Sequence, residues 1–99
     1  MTSVKISIDP NYLRLQEVLW EAYDQAASGK GQERHSSGEA FQDQPICQIT
    51  RSVGLGYPLG QAIKKILESQ RLPKEQAVKE LFGAINYLAG AVIVRREKD

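Results

Sequence analysis

Leu81-Phe-Gly-Ala-Ile-Asn-Tyr-Leu-Ala-Gly-Ala-Val-Ile-Val94 is a run of fourteen residues without a formal charge, and the rest of the 99-residue chain is read as material packed around it. A bilayer span needs about 20 apolar residues, so the run is predicted to be a buried helix rather than a membrane segment. Val78, Leu81, Ile85, Leu88 and Val92 recur at steps of three and four and form one apolar stripe, the expected seam of the domain. Ala77, Ala84 and Ala91 flank this stripe, and Phe82, Ala89 and Ile93 widen it on the other side. Gly83, Tyr87 and Gly90 lie roughly opposite, where a surface helix would carry Lys or Glu. Glycine inside a helix costs about 1 kcal/mol relative to alanine. Close approach of another helix would compensate, and a chain this short is expected to take that helix from a second copy. Gly83, Tyr87 and Gly90 are therefore the predicted contact between subunits.

Composition sets the outer limits. Thirteen basic and twelve acidic side chains leave a formal charge of +1, which exerts no general pull on nucleic acid or on a membrane. One cysteine, Cys47, cannot form an intramolecular disulfide and is expected to be a reduced, buried side chain. Residues 1 to 28 carry charges throughout and show no signal-peptide pattern, so the expected location is cytoplasmic. A single histidine and a single cysteine exclude the usual structural zinc frameworks. A phosphate loop of the ATPase kind is also absent, because no glycine-rich run reaches Lys-Ser or Lys-Thr.

Val4, Ile6 and Ile8 alternate with Lys5 and Ser7, a pattern that fits a short strand or an extended arm over residues 1 to 8. Asp9-Pro10 is a helix start, with a capping carboxylate followed by proline at the first helical position. Tyr12, Leu15, Leu19, Ala22, Tyr23 and Ala26 then follow helical spacing as far as Ala27, with Trp20 to one side as a core or interface residue. Residues 28 to 45 are polar and have no sustained apolar period. Connections in compact domains are about 4 to 6 residues long, so a loop of this length is either functional or disordered. A helix is predicted from Ile46 to Val53, followed by a tight turn at Gly54-Leu55-Gly56-Tyr57. Pro58 opens another helix, whose buried face is expected to hold Leu59, Ala62, Ile63, Ile66 and Leu67. Arg71-Leu72-Pro73 closes it.

Three groups of residues bear on chemistry. Lys30, Arg34 and His35, with Arg51 added from the next helix, supply cationic donors for a phosphate-bearing ligand, and Gly29 and Gly31 would let backbone amides approach the same anion. A solvated loop or a protein-partner surface accounts for the same residues. Glu17 and Glu21 share one face of the first helix and are the metal candidates for a magnesium-dependent nucleotide hydrolase. No compact Glu-x-x-Glu pair with a downstream Glu-x-x-Asp pair completes that site, and otherwise no cofactor is expected. Arg51, Lys64, Lys65 and Arg71 form a basic rim that would suit a nucleic-acid accessory, although neighbouring acids and the absence of an aromatic platform count against it.

The segments Gly29-Lys-Gly-Gln-Glu-Arg-His35, Phe41-Gln-Asp-Gln-Pro-Ile-Cys47, Gly60 to Leu72 and Ala84-Ile-Asn-Tyr-Leu-Ala-Gly90 resemble small uncharacterised helical proteins encoded by bacteriophages and prophages. A looser similarity is to MazG-like phage nucleotide pyrophosphatases, which would imply magnesium and nucleoside triphosphates. The expected fold is mainly α: one domain over residues 1 to 99, a compact bundle of three or four helices with a short extended N-terminal arm, and homo-oligomeric. The expected role is a binding or accessory protein that recognises a phosphate-bearing small molecule or a protein partner through residues 28 to 45. The alternatives are a metal-dependent nucleoside triphosphate pyrophosphohydrolase and a nucleic-acid-binding accessory.

Overall fold

The computed structural model describes residues 9–28 and 38–98. The arm expected over residues 1 to 8 and the 29–37 part of the polar segment lie outside the described residues. Among the described residues the chain forms a compact bundle of four helices with no β-strand: α1 (Leu13–Ser28), α2 (Pro45–Val53), α3 (Gly56–Ser69) and α4 (Lys74–Arg96). Short 3-10 turns at Pro10–Tyr12 and Phe41–Asp43 precede α1 and α2.

Local chemistry sets the helix ends. The Asp9 carboxylate accepts from the Asn11 amide at 2.9 Å, and Pro10 follows at the first helical position, so the predicted start holds. Pro45 opens α2 in the same way. Gly54 ends α2 with φ of 100°, a left-handed backbone that side chains resist, and its amide donates to the Thr50 carbonyl at 2.8 Å. The third helix begins at Gly56, two residues before Pro58, because proline in the first turn has no intrahelical donor to lose. Arg95 and Arg96 occupy the last turn of α4, where the exposed carbonyls favour positive charge.

The α4 helix is the central element, and its buried line differs from the one the apolar periodicity predicts. Ala84, Tyr87, Gly90, Ala91 and Val94 are buried, whereas Val78, Leu81, Leu88 and Val92 are exposed and Ile85 is half-buried. The expected seam is therefore corrected by about 100° around the helix, to the line that runs one residue earlier through Ala84, Tyr87 and Ala91. Gly83, Tyr87 and Gly90, expected to meet a second subunit, instead pack within this chain. A Cβ on Gly90 would lie 2.6 Å from the Ile46 Cγ2 methyl of α2, and one on Gly83 would lie 2.9 Å from Cδ of Lys65. Small residues win these positions because the side chains of Ile46 and Lys65 lie directly against the α4 backbone there, and a leucine would collide with them.

The third helix runs antiparallel to α4. Lys65 reaches Glu80 and Gly83, while Tyr57, farther back along α3, meets Tyr87, farther along α4. Of the face expected to be buried on α3, only Ala62 is; Leu59, Ile63, Ile66 and Leu67 are exposed. The second helix covers the C-terminal half of α4 and brings Ile46 and the wholly buried Cys47 into the core with Ala62, Ala84, Tyr87 and Val94. Inside α2 the buried Thr50 hydroxyl is satisfied by donating to the Ile46 carbonyl at 2.7 Å.

The first helix is held more thinly. Ala22 is its one buried residue; the Asn86 amide donates to the Ala22 carbonyl at 2.9 Å, and the Gln25 amide donates to the Lys79 carbonyl at 3.1 Å. Leu15 and Leu19 lie on the same side of α1 as Ala22 but remain exposed. Trp20 is 65% exposed and stacks on Tyr23, with ring centroids 5.0 Å apart.

The two helix contacts at glycine differ in how readily they yield. Gly90→Ala is expected to destabilise the fold by about 1 to 3 kcal/mol in denaturant unfolding, because the new methyl meets a buried, branched Ile46. Gly83→Ala, which meets the flexible stem of Lys65, is expected to change stability by less than about 0.5 kcal/mol, the gain in helix propensity offsetting the adjustment. Equal losses at both positions would contradict this account of the core.

Candidate functional site

Of the proposed anion ligands, Arg51 alone is among the described residues; Lys30, Arg34 and His35 lie outside them. Arg51 extends from the last turn of α2 to the end of α4 and makes a two-pronged ion pair with Glu97, Nε to Oε1 at 2.9 Å and Nη2 to Oε2 at 2.7 Å. The guanidinium fork matches the carboxylate, so Arg51 is engaged in tying two helices together. The hydrogen bonds from Arg51 pull the Glu97 carboxyl below its ordinary pKa, and the carboxylate raises that of Arg51 in return. Nearby, burial pushes the Cys47 thiol up, with the charge of Arg51 opposing that shift. A thiol held protonated and shut off from solvent is a core side chain rather than a nucleophile, as the sequence suggested.

A second cluster lies between α3 and α4. Lys65 Nζ donates to Glu80 at 3.1 Å and sits 5.9 Å from the centre of the Tyr87 ring, which Tyr57 meets edge-on at 6.0 Å between centroids. Burial first, and hydrogen bonding to Tyr57 second, push the Tyr87 phenol up to about 12. These contacts close the helix pair: Lys65 lies over Gly83, and Glu80 neutralises it. Of the basic rim expected at Arg51, Lys64, Lys65 and Arg71, Arg51 is paired with Glu97 and Lys65 with Glu80.

Glu17 and Glu21 stand on exposed positions of α1. Among the described residues no three His, Cys, Asp or Glu side chains come close enough to hold a metal ion together. The fourth helix is long and apolar enough, by length and composition alone, to cross a bilayer. It nevertheless forms the centre of the bundle and carries the half-buried Glu80.

The dominant surface feature was not singled out in the sequence. Large apolar side chains are open to solvent on all four helices: Leu15, Leu19, Trp20 and Tyr23 on α1, Ile49 and Val53 on α2, Leu59, Ile63, Ile66 and Leu67 on α3, and Val78, Leu81, Leu88 and Val92 on α4. Half of the residues buried on α1, α3 and α4 are alanine. The alanines were the available signal. Ala22, Ala62, Ala84 and Ala91 mark where helices touch, and the leucines mark what they leave uncovered.

The chain belongs, by its architecture, to the small helical bundles. No family model matches it, and no curated protein or solved structure is significantly similar.

The ion pair and the buried phenol give opposite pH signatures. Because the folded-state pKa of Glu97 is lowered, the pair contributes stability above the ordinary glutamate value of 4.5, and this is lost as the pH falls through the folded-state value. Wild type and Glu97→Gln should therefore differ in Tm near neutral pH and converge in acid, the gap shrinking also with added salt. Tyr87 is raised, so its contribution is complete below the ordinary value of 10.0 and is lost as the pH rises toward about 12. A spectroscopic titration of the tyrosines should show one phenol ionising last, and Tyr87→Phe should remove that step.

Proposed function

We propose that this chain is an oligomeric helical binding or accessory protein, using residues 28 to 45 to recognise a phosphate-bearing ligand or a protein partner. The exposed apolar side chains of α1, α3 and α4 carry the oligomeric part of the reading. Scattered exposed leucines are ordinary on a small protein, but contiguous apolar stripes on several helices are the mark of surfaces that are covered in use. A second copy supplies such a cover without requiring any other gene product, and two-fold dimers are the commonest soluble assemblies. The ligand part rests on the sequence, in which Lys30, Arg34 and His35 supply donors suited to phosphate. Arg51 does not join that group in this proposal, since Glu97 already occupies its guanidinium.

Sedimentation equilibrium tests the first part. The protein should sediment at a multiple of its 11.0 kDa chain mass at micromolar concentration, and a persistent single-chain mass would overturn the reading. Titration with inorganic triphosphate, followed by calorimetry, tests the second. Lys30→Ala, Arg34→Ala and His35→Ala combined should weaken binding at least about tenfold with little change in Tm, since charge-assisted hydrogen bonds contribute about 1.5 kcal/mol or more apiece. Equal binding before and after would remove these residues from the site.

A further inference from the structure

The α3–α4 hairpin carries two exposed apolar stripes, and helical geometry places them on one side. On α3 the inward-facing Ala62 and Lys65 are followed by exposed Ile63 and Ile66; on α4 the buried Tyr87 and Ala91 are followed by exposed Leu88 and Val92. Each exposed stripe is thus the buried line advanced by one residue, about 100° around the helix. In two antiparallel helices packed side by side, the same sense of rotation turns both stripes toward the same face of the pair. The first helix does not reach that face. It is anchored through Asn86, which lies two residues from Leu88 and therefore on nearly the opposite side of α4.

We propose that this hairpin face, with Leu59, Ile63 and Ile66 on α3 and Leu81, Leu88 and Val92 on α4, seats a second copy of the chain about a two-fold axis. The inference rests on the oligomeric reading above and names its interface. Two stacked hairpins make a four-helix layer in which apolar stripes from both chains interdigitate.

Size, charge and backbone agree on this occupant. The α4 stripe from Val78 to Val92 is about 21 Å long at 1.5 Å per residue. Together these six residues, 41 to 58% exposed, offer roughly 500 Å² of accessible surface, about three fifths of the ~800 Å² per partner of a standard interface. The stripe on α4 carries no charge from Leu81 to Val92, whereas Lys74, Arg95 and Arg96 stand at the ends of that helix. An uncharged centre with a polar border is the anatomy of a protein interface. Gly60 supplies an independent sign. It lies inside α3, where glycine is unfavourable, yet a Cβ there would meet nothing within 4 Å, unlike the crowded positions at Gly83 and Gly90. A backbone approaching from a second chain would account for it.

Sedimentation equilibrium of the full chain, compared with the double variant Ile63→Glu, Leu88→Glu, tests the proposal. Both sites are exposed, so circular dichroism should show an unchanged helix content. The wild type should assemble, and the variant's dissociation constant should rise at least about a hundredfold, since each buried charge occurs twice in a two-fold interface. Should the Glu pair unfold, Ile63→Gln with Leu88→Gln carries the same test without added charge. Retention of the wild-type mass by a folded hairpin variant, with its loss in Leu15→Glu, Leu19→Glu, would overturn this interface while leaving the oligomeric reading standing. A wild type that remains a single chain would overturn both. Flotation with vesicles of phosphatidylcholine and phosphatidylglycerol covers the remaining occupant: wild-type binding that the hairpin variant loses would assign the face to a bilayer and overturn the proposal.

Discussion

The approach of Ile46 to Gly90 is the contact on which the arrangement of the bundle depends. It brings α2 against the C-terminal half of α4, places Cys47 beside the same glycine and sets Arg51 within reach of Glu97. A side chain at position 90 would hold α2 away from α4 and open the enclosed group formed by Ile46, Cys47, Tyr87 and Val94. The same geometry recurs more loosely at Gly83, where the stem of Lys65 fills the space and its ammonium is neutralised by Glu80. The seating of Ile46 and Lys65 on these glycines thus determines which face of α4 belongs to the chain's own core.

That choice has a consequence for the rest of the surface. A core closed on α4 by alanine, glycine, Tyr87 and Val94 leaves Leu81, Leu88 and Val92 on the outer arc of the same helix. The third helix repeats the division, with Ala62 inside and Ile63 outside. The interior is well satisfied, and no buried side-chain nitrogen or oxygen among the described residues lacks a partner. The exposed leucines therefore reflect the division of faces rather than a failure of the core. The thin attachment of α1, through Ala22, Asn86 and Gln25, extends the pattern to a helix whose aromatic side chains have almost no cover.

The chemistry of individual groups follows from the same packing. Arg51 was expected to serve a ligand, but its distance to Glu97 makes it a tie between helix ends. Residues 46 apart in sequence give no local signal of such a pair. Cys47 is the reverse case, because an apolar neighbourhood at Ile46 and Ile49 already suggested burial and the fold encloses it completely. Glu17 and Glu21 share a helix face as the sequence required, yet their use depends on whether acids from other helices converge, which is a property of chain path.

The sequence by itself determined the helical class, the capped start at Asp9-Pro10, the break at Gly54 and the long central helix ending in Arg95 and Arg96. These are local matters, governed by capping, proline and glycine stereochemistry, and charge near helix ends. Only the tertiary structure decided which side of the central helix faces inward. From Leu81 to Val94 apolar residues surround the whole circumference, so hydrophobicity assigns no phase there. Leu81 and Leu88 offer more area to bury, but the close crossings selected Gly83, Ala84 and Gly90, because the distance between helix axes is limited by the bulk of the side chains between them.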